Sequence, residues 1–226
     1  MSPEVAIYRL LTWLSPAYPV GAYTYSHGLE WAVETGAVRD RGMLIDWLET
    51  VLRHGAGWSD AVLLAHGHAT ASAGDPAAWQ ERCELARALA PSAELALETR
   101  AQGEAFARAS LASWPAEGLA ALLEGPVLPT YPLAVAAVAA RHGIPLDLVL
   151  PAYLQAFAGN LVSAAVRLVP LGQTDGQRAI ADLASTVAEV AAAAPLCPLD
   201  DLGTATLAVD LCSMRHETQY TRLFRS

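Results

Sequence analysis

Leu146-Asp147-Leu148-Val149-Leu150-Pro151-Ala152-Tyr153-Leu154-Gln155-Ala156-Phe157-Ala158-Gly159-Asn160-Leu161-Val162-Ser163-Ala164-Ala165-Val166-Arg167-Leu168-Val169 is the most apolar long run in the chain. Asp147, Pro151, Gln155, Asn160 and Arg167 interrupt it, so it falls short of a clean membrane span and reads as a buried helix. Asp147 is the expected cap. Pro151 is tolerated near the start, where N–H groups have no helical partner. Leu150, Leu154, Phe157, Leu161, Ala165 and Leu168 form one stripe, and the other faces are mostly Ala and Val. A helix apolar nearly all round belongs at the centre of the fold or against a second copy of the chain. Leu150, Leu154, Phe157 and Leu161 are therefore the candidate core or dimer stripe.

The rest of the chain has the same character. Apolar residues make up 54% of it, Ala and Leu dominate, and only 7% are aromatic. Val and Ile are not gathered into alternating runs, so helix is favoured over sheet. A first helix is expected from Pro3 to Leu14, with Val5, Tyr8, Leu11 and Trp13 as burial candidates. Two Pro and a Gly keep Pro16 to Tyr25 irregular. Ser26 is the expected cap of a short helix ending near Gly36, and Asp40 caps the next. Gly55-Ala56-Gly57 is expected to break that helix, and another runs from Ser59 to Ala73. Asp75-Pro76 and Ser92 start two more. A short helix from Glu117 to Glu124 and another from Leu133 to His142 follow. Thr174-x-x-Gln177 has the capping-box pattern and opens a helix that ends before Pro195. No repeat and no long linker appears. The expectation is one all-α domain over residues 1–226, a helical bundle of about ten helices.

Charge excludes several functions. The formal net charge is −9, with 14 basic residues, all of them Arg. An acidic chain without a basic stripe argues against nucleic-acid binding. A phosphate-binding P-loop needs a Lys that this sequence lacks, so the chain is not itself a GTPase or ATPase of that class. Cys83, Cys197 and Cys212 are widely spaced, which suits reduced thiols in the cytoplasm. The N-terminal stretch does not read as a signal peptide, and no membrane association is expected.

Catalytic motifs are missing. His66-x-His68 would need both imidazoles on one helical face, and residues two apart do not share one. His216-Glu217-x-x-Tyr220 lacks the second His of a zinc-protease motif. In Glu98-Thr99-Arg100-Ala101-Gln102-Gly103 a solvated face competes with a helix contact in which a carboxylate holds Arg100. Asn160 and Arg167 share a face of the long helix, and Arg167 is either paired in the core or part of an interaction site. Tyr23 and Tyr25 lie in the Pro/Gly stretch, where aromatics serve either packing or contact. The C-terminal stretch 213–226 holds Arg215, His216, Glu217, Tyr220, Arg222, Leu223, Phe224 and Arg225. Aromatic and Arg residues dominate interface anchors, so it reads as a partner-docking tail or as a last helix folded back on the core.

Four blocks resemble one family. Leu11-Thr12-Trp13-Leu14-Ser15-Pro16-Ala17-Tyr18-Pro19-Val20-Gly21-Ala22-Tyr23-Thr24-Tyr25-Ser26-His27-Gly28-Leu29-Glu30 is similar to the N-terminal block of the UreF urease accessory proteins. Glu98-Thr99-Arg100 with Gly103 resembles a middle block, and Asn160 through Gln177 a third. His216-Glu217-Thr218-Gln219-Tyr220-x-Arg222-Leu223-Phe224-Arg225-Ser226 is the most specific. The resemblance implies an all-α, non-enzymatic adaptor that forms a homodimer, binds UreD (also called UreH) and recruits the GTPase UreG. The assembled complex delivers nickel to the urease apoprotein, so nickel and GTP are handled by the complex and no cofactor is bound directly. On this reading the tail docks on UreD, and Tyr23, Arg167, Gln173 and Asp175 face UreG. The alternative is a metallochaperone that binds nickel itself.

Overall fold

The long apolar run forms one helix, Leu146–Leu168, in a computed structural model that describes all 226 residues. The regular structure is all helical. α1 (Pro3–Trp13), α2 (Leu29–Glu34), α3 (Arg41–His54), α4 (Ala56–Ala73), α5 (Pro76–Ala88) and α6 (Ala93–Ser113) precede α7 (Leu119–Leu123) and α8 (Tyr131–Arg141). α9 (Leu146–Leu168), α10 (Gln173–Asp182), α11 (Ala184–Ala193) and α12 (Leu207–His216) complete it. Ten of the twelve are ten residues or longer, and there is no strand.

α8 is the innermost helix. Leu133, Ala134, Val135, Ala136, Ala137, Val138 and Ala139 are all fully buried. Small side chains let neighbours approach closely. A Cβ on Gly67 of α4 would stand 2.5 Å from Leu133 Cδ2. One on Gly103 of α6 would stand 2.5 Å from the Pro129 carbonyl oxygen and 2.9 Å from the Tyr131 amide nitrogen. α9 lies beside α8 and also meets α1, α2, α3, α4, α10 and α11. Leu150, Leu154 and Leu161 are buried among them and Phe157 is half-buried, so the stripe is core and offers no free face to a second copy.

Several local expectations change. Pro145 occupies the N-cap of α9 and Asp147 lies in its first turn. α1 buries Ala6, Leu10 and Trp13, leaving Val5, Tyr8 and Leu11 in solvent. An apolar face on nearly every side fixes no unique phase; the Trp13 ring, edge-on to Trp114 at 5.7 Å, fixes it here. Gly28 holds the N-cap position of the short α2, while the Ser26 hydroxyl, two residues earlier, accepts from the Glu30 amide of its first turn at 3.3 Å and donates to Ser226. Gly55 ends α3 as expected, but α4 starts at once at Ala56 rather than at Ser59, and the corner is tight, since a Cβ on Gly57 would stand 2.8 Å from Leu52 Cα. α10 begins at Gln173 without a side-chain cap, so Thr174 and Gln177 form no capping box, and a kink near Leu183 divides it from α11. His66 and His68 each bond a backbone carbonyl, of Cys197 and Ile144 respectively, both at 2.8 Å.

Candidate functional site: the C-terminal segment and the loop beside it

Residues 217–226 run back over the body of the protein and are held mainly by three carboxylates. Glu30 on α2 accepts from the Leu223 amide at 2.6 Å and the Phe224 amide at 2.9 Å, and lies 3.0 Å from His216 Nε2. Glu94 on α6 lies 2.7 Å from His216 Nδ1 and accepts from Arg222 at 2.7 Å. Glu98, one turn further on, accepts from the Ser226 hydroxyl at 2.7 Å. His216 has no exposed surface, and both ring nitrogens face carboxylate oxygens. A neutral imidazole has one N–H; two such bonds need both ring nitrogens protonated or one carboxyl protonated.

The end of α12 is joined to the start of α6 and to α2. The Ser213 and Ser92 hydroxyls are 2.7 Å apart, and Glu217 accepts from the Ala93 amide at 3.0 Å. Gly28 permits the approach to α2. Its φ is +77°, and a Cβ there would stand 2.8 Å from the Ser213 nitrogen. Beyond Phe224 the segment pairs with the loop ahead of α2. Arg225 N–H donates to the Thr24 carbonyl at 2.8 Å, and Ser26 N–H to the Ser226 oxygen at 2.7 Å.

That loop is pinned from the other side by α9. Asn160 donates to the Ala22 carbonyl at 3.0 Å and Arg167 to the Tyr23 carbonyl at 2.7 Å. The Arg167 guanidinium also lies over the Phe224 ring, 4.3 Å from its centroid. Burial lowers the Arg167 pKa from its ordinary value. The Tyr23 ring, 63% exposed, projects from a backbone held at three points. Gln173 shares a shallow cleft with Arg167, whereas Asp175 lies beyond it, 3.1 Å from Arg178.

The terminal residues thus divide. His216 and Phe224 are interior; Arg215, Glu217, Tyr220, Arg222, Leu223 and Arg225 are exposed, Tyr220 completely. Part of the stretch 213–226 is therefore folded back into the core, and the rest lies on the surface. Arg100 is held by no carboxylate; its Nε donates to the Ala96 carbonyl of its own helix. Sequence reasoning overlooked Glu30 and Glu94. The available signal was an acidic side chain on a short helix otherwise rich in buried apolar residues, but only the fold shows what it faces.

A second group of titratable residues lies beneath the segment. Asp60 on α4 accepts from the Tyr153 hydroxyl at 2.6 Å. His27, at φ +58°, is buried edge-on to Phe157, with Nδ1 3.6 Å from Glu98. No three of the chain's His, Cys, Asp and Glu side chains are grouped to hold a metal ion.

Comparison with known proteins agrees in one direction. The family model described as UreF matches residues 38–184. The chain is 53% identical over 224 residues to the urease accessory protein UreF of Rhodopseudomonas palustris (strain BisB5), covering 99% of this chain and 92% of that one. It is 56% identical over 220 residues to that of Methylobacterium sp. (strain 4-46), covering 96% and 87%. Against that of Xanthobacter autotrophicus (strain ATCC BAA-1158 / Py2) the figure is 55% over 225 residues, covering 98% and 92%. Similarity of this extent, over a chain whose ordered C-terminal segment and pinned loop are built from the same residue blocks, means that the chain belongs to the UreF family of urease accessory proteins.

Proposed function

We propose that the chain is a non-enzymatic cytoplasmic adaptor in urease maturation. It forms a homodimer, binds UreD (UreH), recruits and regulates the GTPase UreG, and reaches the urease apoprotein through that complex. It holds no cofactor of its own; nickel and GTP belong to the assembly.

The observation that carries this reading is the Tyr23 loop. An exposed aromatic on a backbone fixed by Asn160, Arg167 and Arg225 loses little freedom on binding, which favours a contact residue. Gln173 extends the same surface. Tyr220 and Leu223 are the exposed apolar side chains available to UreD from the C-terminal segment. With the α9 stripe buried, self-association needs another face. Leu207, Leu211 and Met214 recur at helical spacing on the outer side of α12, and Val5, Tyr8 and Leu11 are exposed on α1. These two faces are the apolar surfaces available to a second copy.

A pull-down with both partners tests the assignment. Tyr23→Ala is expected to lose UreG and keep UreD. Loss of both would make the loop structural and end the assignment. Equilibrium dialysis of the isolated chain with nickel tests the adaptor role: tight stoichiometric uptake would replace it with a metallochaperone.

A further inference from the structure

His27, Asp60, Glu98 and Asp210 border one partly open cavity of about 80 Å³ between α4, α6, α9 and α12. That is room for several waters. Two buried polar atoms in its wall, His27 Nδ1 and Thr130 Oγ1, have no hydrogen-bond partner in the protein. Such atoms are costly unless something in the cavity meets them. Charge is the second feature. Three carboxylates and one imidazole surround the space, with no Arg in its wall. With His27 neutral and all three acids ionised, the chamber holds three negative charges and no positive one.

We propose that this chamber is a proton-binding site that sets how firmly the C-terminal segment is held, acting through the bond from Ser226 to Glu98. The remaining groups facing it are Tyr131 of α8, Tyr153 of α9 and Gln102 of α6. Gln102 lies 3.3 Å from Glu98, and Tyr153 is committed to Asp60. Glu98 is the one acid that touches both the chamber and the segment. Ionised Asp60 repels it across the space, and a charged His27 attracts it.

The titration directions agree. Burial pushes the Asp60 carboxyl up to about 6, against the pull of Tyr153 and His27. Although the residue as a whole is only half-buried, protein atoms ring its carboxylate. Burial also raises Asp210. At His27 burial opposes the charge, but Glu98, Asp60 and Asp210 together outweigh it and the pKa is raised. A group raised in the folded state stabilises most below its unfolded pKa and loses that contribution as pH climbs through the folded value. For Asp60 the loss runs from the ordinary 3.8 up to about 6, so acidification from neutral to below about 6 tightens the segment.

The inference does not depend on which partners the protein has. Hydrogen exchange of the full chain, corrected for intrinsic rates, tests it between about pH 5.5 and pH 7.5. Amides of Leu223, Phe224, Arg225 and Ser26 are expected to be roughly threefold or more better protected at the acid end, with α8 unchanged. Asp60→Asn, neutral at every pH, should keep the acid-level protection at neutral pH, and His27→Gln should also flatten the profile. Equal protection at both ends in the wild type would overturn the proposal. So would a dependence surviving intact in both variants, which would place its source outside the cavity. Should the variants not fold, NMR of the wild-type carboxyl carbons decides: an Asp60 signal that does not titrate between about pH 5 and 7 sinks the idea.

Discussion

α8 and the C-terminal segment are both fixed to the body of the protein, and they are fixed by opposite means. From Leu133 to Ala139 helix α8 presents only apolar side chains, most of them Ala or Val, and glycines on α4 and α6 bring its neighbours against it. The segment from His216 to Ser226 is held by carboxylates that meet an imidazole, a guanidinium, two amides and a hydroxyl. Apolar packing is non-directional and tolerates a rearranged neighbour. A charged cluster out of water is stable only with every partner in place, so it fails as a unit. The segment can thus come loose without the bundle melting, whereas α8 cannot.

Removing one carboxylate should show this most strongly. Glu30→Ala leaves His216 Nε2 and two segment amides without an acceptor, at a cost of about 3–5 kcal/mol. The expected outcome is loss of protection and rapid proteolysis confined to residues 217–226, with helical circular dichroism almost unchanged. Global unfolding instead would erase the distinction between the two regions. Gly103→Ala attacks the other side. Its new methyl meets backbone at 2.5 Å, which cannot yield as a flexible side chain would, and about 1–3 kcal/mol is expected. Thermal melting should show one lower transition with the segment and bundle lost together.

Smaller effects test the surfaces. Arg167→Ala frees the Tyr23 carbonyl and the Phe224 ring at once, and is expected to weaken UreG recruitment roughly ten- to a hundred-fold. It should also raise exchange at Arg225, which Tyr23→Ala should not. Leu211→Glu on the exposed side of α12 should change the melting temperature least, within about 0.5 kcal/mol. Sedimentation should nevertheless show weaker self-association. An unchanged dimer would move the interface to α1.

Much of the helix inventory was legible in the sequence. Asp40, Asp75 and Ser92 cap where their positions before helical runs suggest, each accepting from backbone amides of the first turn. Thr174 carries the same signal and fails, because Gly172 already provides the extended residue ahead of α10. Ser26 meets it only in part: Gly28 takes the N-cap position, and the Ser26 hydroxyl accepts from the Glu30 amide at 3.3 Å while donating to Ser226, 200 residues away. Capping is a local preference of about 1 kcal/mol, which a distant partner readily overrides.

Composition and period by themselves determined an all-helical chain without a P-loop, with α9 buried and with Asn160 and Arg167 on one side of it. Those properties depend on side-chain volume, polarity and a spacing of three or four residues, all local. Tertiary structure alone decided that this side grips the Tyr23 loop, that Trp13 sets the phase of α1, and that His216 lies between Glu30 and Glu94. Those are pairings across most of the chain's length. A buried charge says that a partner is required, and it does not say which of the chain's opposite charges will arrive.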